Sequence, residues 1–199
     1  MKRTTFLLAP FVLLFAAGLA QADTITYTES ATASGSLGGT PFSDSLITLT
    51  FVGDTANIVS SPSFYSIALG SITIGVSSLG TLATLTDPGY VFDAQLGGPS
   101  GSGAAGFHDS SVSLDILDIT DPAFGSYNLA TTIGPITDTE LFNAGISFET
   151  NSGALIIYSA SDSTFSATPE SSDPQAPEPA TMALFAFGFA GILAVARRK

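Results

Sequence analysis

The sequence lacks cysteine altogether and has basic residues only at its two ends. Without cysteine the protein forms no disulfides and no thiolate metal sites, and cysteine catalysis is excluded. Lys2 and Arg3 lie at one end, Arg197, Arg198 and Lys199 lie at the other, and all 17 acidic residues lie between them. Since such an interior has no cation with which to neutralise phosphates, nucleic-acid binding is excluded.

Tryptophan is also absent, and charged residues make up only 11% of the chain, less than half of the roughly 25% typical of soluble domains. Hydrophobic residues reach 45%, which is enough to build a core. A chain of 199 residues has room for one domain plus processing segments. The surface of that domain must therefore consist mainly of Ser, Thr, Gly and Asp.

The first 22 residues have the pattern of a secretory signal peptide. The basic start is followed by an apolar run at 6–19, and Ala20 and Ala22 then supply a small-x-small cleavage pattern. We expect signal peptidase to cut between Ala22 and Asp23. An uncleaved membrane anchor is the alternative, although the apolar run is short for a span of about 20 residues.

The other end of the chain has three parts. A proline-rich stretch at 169–176 is typical of an extended linker, and 180–196 is free of charge. Such a run is just long enough to span a membrane, and the terminal Arg197, Arg198 and Lys199 would stop transfer on the cytoplasmic side. The sequence thus predicts a transmembrane helix at 180–196.

Pro177, Glu178 and Pro179 stand directly before that apolar run. With the basic end, residues 177–199 resemble the PEP-CTERM sorting signal of Gram-negative bacteria. The resemblance implies that an exosortase-like membrane protease processes the chain and passes it to the cell surface or extracellular matrix, often beside exopolysaccharide. An ordinary tail anchor, which would keep its helix, is the alternative.

The body, residues 23–168, is predicted to be an all-β sandwich of about ten strands with jelly-roll or Greek-key connections. Short runs rich in Thr, Ile, Val, Leu and Phe alternate with Gly, Pro, Asp and Ser turns, and no amphipathic helix is evident. Strands are predicted at 24–32, 45–52, 65–76, 80–86, 90–96, 112–119, 127–133, 145–150, 154–160 and 163–168. A long loop is predicted at 96–106.

Two patterns in the body are compatible with catalysis but are better explained otherwise. Residues 101–106 match G-x-G-x-x-G, yet the preceding Gly-Gly-Pro is not a strand and no helix follows, so nucleotide binding is rejected. His108 is the single histidine, and no Gly-x-Ser-x-Gly accompanies it. We therefore expect His108 to lie in a solvated loop or at the start of a strand.

Asp115, Asp118 and Asp121 recur at intervals of three. Carboxylate oxygens suit Ca²⁺, and these residues are the weak candidates for such a site. Strand alternation would place Asp115 and Asp118 on opposite faces, and Asp121 precedes a proline as turn-forming residues do. No cofactor is therefore predicted beyond this calcium hypothesis.

The leading expectation is a non-enzymatic structural or interaction protein of the envelope or matrix, associated with exopolysaccharide. A lectin-like module, with or without Ca²⁺, is the second hypothesis, and a secreted glycan hydrolase is the third. The five tyrosines are expected to pack within strands, so no aromatic platform for sugar is predicted.

Overall fold

The computed structural model describes residues 24–68, 70–96, 101–138 and 140–170. These residues form two antiparallel sheets joined by turns and three short 3-10 helices, with no α-helix among them. None of the helices described is long and apolar enough to cross a membrane. The predicted signal peptide at 1–22 and the predicted span at 180–196 lie outside the described residues.

The described residues form thirteen strands, in place of the ten or so predicted. Their bounds are β1 Thr24–Leu37, β2 Thr40–Asp54, β3 Val59–Ser61, β4 Phe64–Ile67, β5 Thr73–Val76, β6 Thr81–Thr84, β7 Gly89–Ala94, β8 Gly103–Asp109, β9 Leu114–Asp121, β10 Ile133–Asp138, β11 Glu140–Leu141, β12 Ser147–Phe148 and β13 Leu155–Pro169.

The first sheet has the order β10-β13-β1-β2-β5-β6, with β12 also paired to β13, and the second has the order β11-β9-β8-β7-β4-β3. The chain passes repeatedly from one sheet to the other, so neighbours within a sheet are often distant in sequence. Buried side chains of both sheets belong to one hydrophobic cluster. The all-β prediction is confirmed, and the two sheets share a core.

Strict alternation in β1 shows how the sequence builds this core. Its residues alternate between half-buried and buried along all 14 positions, as expected of a strand with one face against a core. Ile25 and Tyr27 are fully buried, and the next inward residue is Glu29, also 0% exposed. A carboxyl group therefore lies among apolar side chains, where hydrophobic patterning alone would place another Val or Ile.

The strand predicted at 65–76 is wrong, because its two halves belong to different sheets. β4 lies in the second sheet and β5 in the first. The chain turns between them at Gly70, whose amide donates a hydrogen bond to the Ala68 carbonyl at 3.0 Å. A Cβ at Gly70 would lie 2.7 Å from the Phe51 ring, so the close approach requires glycine.

The predicted strand at 127–133 is also wrong. The chain is irregular until β10 begins at Ile133, and Leu129 adopts a positive φ of 64° although it is fully buried. The Tyr27 hydroxyl donates to the Leu129 carbonyl, and the Tyr127 hydroxyl donates to the Thr131 carbonyl at 3.1 Å. Side-chain hydroxyl groups thus bond two backbone carbonyls of this segment. Burial raises the pKa of both tyrosines, and the charges of Tyr27 and Asp93 raise the pKa of Tyr127 further.

Two predicted strands, at 154–160 and 163–168, are one continuous strand, β13. It pairs with β1 from Leu37↔Leu155 to Ile25↔Pro169. The Glu170 amide then donates to the Thr24 carbonyl at 2.8 Å. The paired structure therefore extends into the predicted linker at 169–176, and both ends of the described chain lie side by side.

Candidate functional site: an aromatic row on the second sheet

Four rings lie along the second sheet on adjacent strands: Phe64 of β4, Tyr90 and Phe92 of β7, and His108 of β8. We call this set the aromatic row. Tyr90 and Phe92 are two residues apart in one strand, and Tyr90 lies opposite His108, so their side chains share a face. Phe64 lies opposite Ala94, which is on that same face of β7.

The row lies on the outer face of the sheet. Val91 and Phe107, which alternate with the row residues, are fully buried in the shared core. Phe92 is not part of that core cluster. It is 5% exposed, whereas Phe64, Tyr90 and His108 are half-buried, so Phe92 forms the base of the row and the other three rings its accessible part.

The rings contact one another in sequence along the row. The Tyr90 and His108 rings stack with centroids 4.5 Å apart and planes 23° apart. The Phe64 and Phe92 rings are nearly parallel, with an angle of 11° between their planes and centroids 6.1 Å apart. Since this distance is too long for face-to-face overlap, the two rings are displaced sideways. The Tyr90 ring packs edge-on against these two rings, with its centroid 6.4 Å from that of Phe64 and 6.5 Å from that of Phe92. These are favourable geometries for aromatic pairs.

A β-bulge places a carboxylate at one end of the row. Phe107 pairs with Leu117, but His108 pairs with Asp115, so Ile116 is the extra residue. The His108 Nδ1 lies 2.6 Å from the Asp115 Oδ1, and the side chains are 16% and 36% exposed. The histidine therefore lies near the end of a strand and has a carboxylate partner. Both expected positions, a solvated loop and the start of a strand, are wrong, since β8 runs from Gly103 to Asp109.

The bulge also corrects the prediction that Asp115 and Asp118 face opposite ways. Asp118 pairs with Gly106 and Asp115 pairs with His108; because Gly106 and His108 are two residues apart, the bulge brings both aspartates to one face. A Cβ at Gly106 would lie 2.5 Å from the Asp118 Cβ. Burial, and secondly the charge of Asp115, raise the pKa of Asp118 to about 7.

The third member of the predicted calcium set is directed elsewhere. The Asp121 Oδ1 accepts a hydrogen bond from the Ala123 amide at 2.7 Å and caps the 3-10 helix at Pro122–Ser126, as the turn interpretation expects. Within the described ranges, no three acidic or histidine side chains are grouped so as to hold a metal ion. The aromatic row is thus built from rings and hydrogen-bonding groups.

Buried carboxyl groups lie beneath and beside this face. Burial raises the pKa of Glu29 well above its ordinary value, and the charges of Asp118 and Asp115 raise it further. Asp93, on the core side of β7, has its pKa raised to about 7 by burial. Among the described residues, neither carboxyl has a hydrogen-bond partner. Both groups favour the protonated form because an unpaired charge is costly in an apolar interior.

Sequence reasoning missed Phe64, Tyr90 and Phe92 as parts of one site. The alternation of Tyr90, Val91 and Phe92 is a signal for two rings on one face of a strand. The register that sets His108 against Tyr90 leaves no trace in sequence spacing. Of the other tyrosines, Tyr27 and Tyr127 are buried as expected, but Tyr158 is 59% exposed.

The predicted processing residues lie outside the described residues: Ala20, Ala22, Asp23, Pro177, Glu178, Pro179, Arg197, Arg198 and Lys199. Comparison with known families provides independent evidence for the predicted sorting signal at the C-terminal end. Residues 175–199 match a family model described as the PEP-CTERM protein-sorting motif, which confirms the resemblance seen in the sequence. A motif of this kind indicates an exported surface protein that an exosortase, a membrane protein, processes.

The match covers the sorting motif and not the β body. No curated protein and no solved structure matches the chain. The role of the body therefore has to be argued from its own side chains.

Proposed function

We propose that this protein acts at the cell surface or in the extracellular matrix of a Gram-negative bacterium, where its β body contacts exopolysaccharide without catalysing a reaction. Export and sorting rest on the motif at 175–199. The observation that carries the role of the body is the aromatic row. Aromatic rings beside a few hydrogen-bonding groups are the usual composition of a site for a ligand with apolar faces and polar edges, and sugar rings have both.

The aromatic row favours the lectin-like form of this proposal over a purely structural one. Tyr90 and Phe64 offer ring surface that has no role in the shared core. Asp115 at the end of the row is the hydrogen-bond acceptor that sugar hydroxyls require. A purely structural domain would gain nothing from keeping these rings half-exposed.

The placement of the acidic residues supports a non-enzymatic role. A glycan hydrolase uses two carboxyl groups on either side of an open cleft. Glu29 and Asp93, whose pKa values are raised, are fully buried among core side chains, so they cannot reach a polysaccharide.

Two measurements test this function. The intact mass of the mature protein from hosts with and without exosortase tests sorting, and persistence of residues 180–199 in both would contradict it. Retention of the mature protein on immobilised exopolysaccharide tests the role of the body. We expect Tyr90→Ala to reduce retention, while Tyr158→Ala, a change of an exposed tyrosine on β13, leaves it intact.

A further inference from the structure

The charges around the aromatic row define a class of glycan. Asp115 and Asp118 lie beside the row on the same face, at the positions opposite His108 and Gly106. Among the described residues there is no Lys or Arg. The one group able to carry positive charge is His108, and its Nδ1 is already paired with Asp115.

In the described part of the chain, an anionic sugar would find only the His108 ring as a partner for its charge, and Asp115 already lies against that ring. A carboxylate or sulfate that leaves water needs a cation or several donors to compensate its desolvation. The row instead offers ring faces and carboxylate acceptors, and the surrounding negative charge repels anions. An uncharged sugar is not repelled by the acidic residues. Its hydroxyl groups can donate hydrogen bonds to carboxylates, and its C–H faces can pack on the aromatic rings.

From these charges we propose that the aromatic row binds an uncharged glycan strand and discriminates against anionic glycans. This inference rests on the proposed function and adds the class of ligand to it. The rings provide affinity through apolar contact. The lack of Lys and Arg among the described residues and the carboxylate of Asp115 provide the discrimination, since specificity arises as much from what a site repels as from what it attracts.

The test compares two glycans that differ only at C6, where one has a hydroxymethyl group and the other a carboxylate. The full-length mature protein is first screened against an array of neutral and acidic polysaccharides. Its strongest neutral ligand is then oxidised at C6 to the corresponding uronate, and both forms are titrated by calorimetry at low salt. We expect the uronate to bind at least about tenfold more weakly, a difference of about 1.4 kcal/mol.

Salt and mutation separate charge from shape. Raising the ionic strength should reduce the difference in affinity between the neutral glycan and the uronate, because salt screens the repulsion. Asp115→Asn should also reduce this difference in affinity. Thermal unfolding checks that the variant is folded. Tyr90→Ala should weaken binding of the neutral glycan about tenfold, which corresponds to the lost ring contact, and Tyr158→Ala should not.

The outcomes distinguish the two proposals. If the uronate binds as tightly as the neutral form, and Tyr90→Ala weakens both, the aromatic row is a glycan site but the charge selection is wrong. A gap that persists unchanged at high salt would likewise overturn selection by charge. If no glycan of either kind binds, the proposed function itself is contradicted.

Discussion

The carboxyl group of Glu29, on β1 of the first sheet, lies near enough to Asp118, on β9 of the second, for the charge of Asp118 to raise its pKa. Burial is the larger cause of that rise. Glu29 is fully buried between the sheets and Asp118 is 6% exposed, and no Lys or Arg in the described part of the chain compensates either charge. The fold tolerates this arrangement when at least one of the two groups holds a proton.

Stability should therefore fall as pH rises. Asp93 and Asp118 have folded-state pKa values of about 7, against an ordinary value of 3.8, so between these limits the folded state binds more protons than the unfolded state. Linkage then makes the free energy of unfolding decrease from about pH 4 to about pH 7. We expect the Tm at pH 5 to exceed that at pH 8 by on the order of 5 °C.

Thermal unfolding followed by circular dichroism at several pH values checks this. A Tm that rises from pH 5 to pH 8 would show that these carboxyl groups are not held protonated in the folded protein.

Glu29→Gln should stabilise the protein at high pH. The substitution keeps the shape of the side chain but removes the charge that an apolar core disfavours. At pH 8 we expect a gain on the order of 2 kcal/mol, shrinking towards zero near pH 4, where the native glutamic acid is already neutral in both states.

Glu149→Gln is the matched control, since Glu149 is exposed. Denaturant unfolding of both variants at pH 4.5 and pH 8 measures the difference. If the two substitutions change the free energy of unfolding equally at pH 8, burial of Glu29 is not the reason that its charge destabilises the protein.

Tyr27→Phe should destabilise the protein by about 1 kcal/mol, the usual net value of one hydrogen bond. The Tyr27 hydroxyl donates to the Leu129 carbonyl, and its loss leaves a buried acceptor without that donor. Tyr158→Phe, at an exposed position, should change little. Urea unfolding of both variants measures the two changes in the free energy of unfolding. If Tyr27→Phe leaves this free energy unchanged, the hydrogen bond to the Leu129 carbonyl does not stabilise the protein.

Gly106→Ala should weaken both the fold and the aromatic row. A Cβ at this position would lie 2.3 Å from the Leu117 carbonyl oxygen, so β8 and β9 would have to separate; overpacking of this kind costs about 1–3 kcal/mol. Gly75→Ala is the control, because its Cβ would meet its nearest neighbour at an ordinary 3.4 Å. If both variants unfold at the same urea concentration, the close approach of β8 and β9 is not required.

The all-β class was predictable because several strands alternate cleanly. β1 and β2 have period-2 patterns along most of their length, and tight turns such as Gly38–Gly39 separate them. β8 was missed because four of its seven residues are Gly or Ala, and a strand of small residues has the composition of a loop. Its strand conformation depends on close contact with β9, which is tertiary information.

The aromatic row was not predictable for a related reason. Phe64, Tyr90 and His108 come from three strands, and only the register of β4, β7 and β8 aligns them. The bulge at Ile116 then moves Asp115 to the same face, whereas regular alternation predicts the opposite. The sorting motif, in contrast, depends on contiguous residues and could be identified without any structure.

The pairing of β13 has a mechanical consequence. This strand runs between β1 and β10, leads towards the sorting motif, and ends beside Thr24. Because β1 and β13 are antiparallel, Thr24 and Glu170 lie at the same end of the pair. A force that pulled the two chain ends apart would therefore open the hydrogen bonds between these strands one after another from that end. The pair would open from Ile25↔Pro169 towards Leu37↔Leu155, so the bonds nearest the two chain ends would carry the load first.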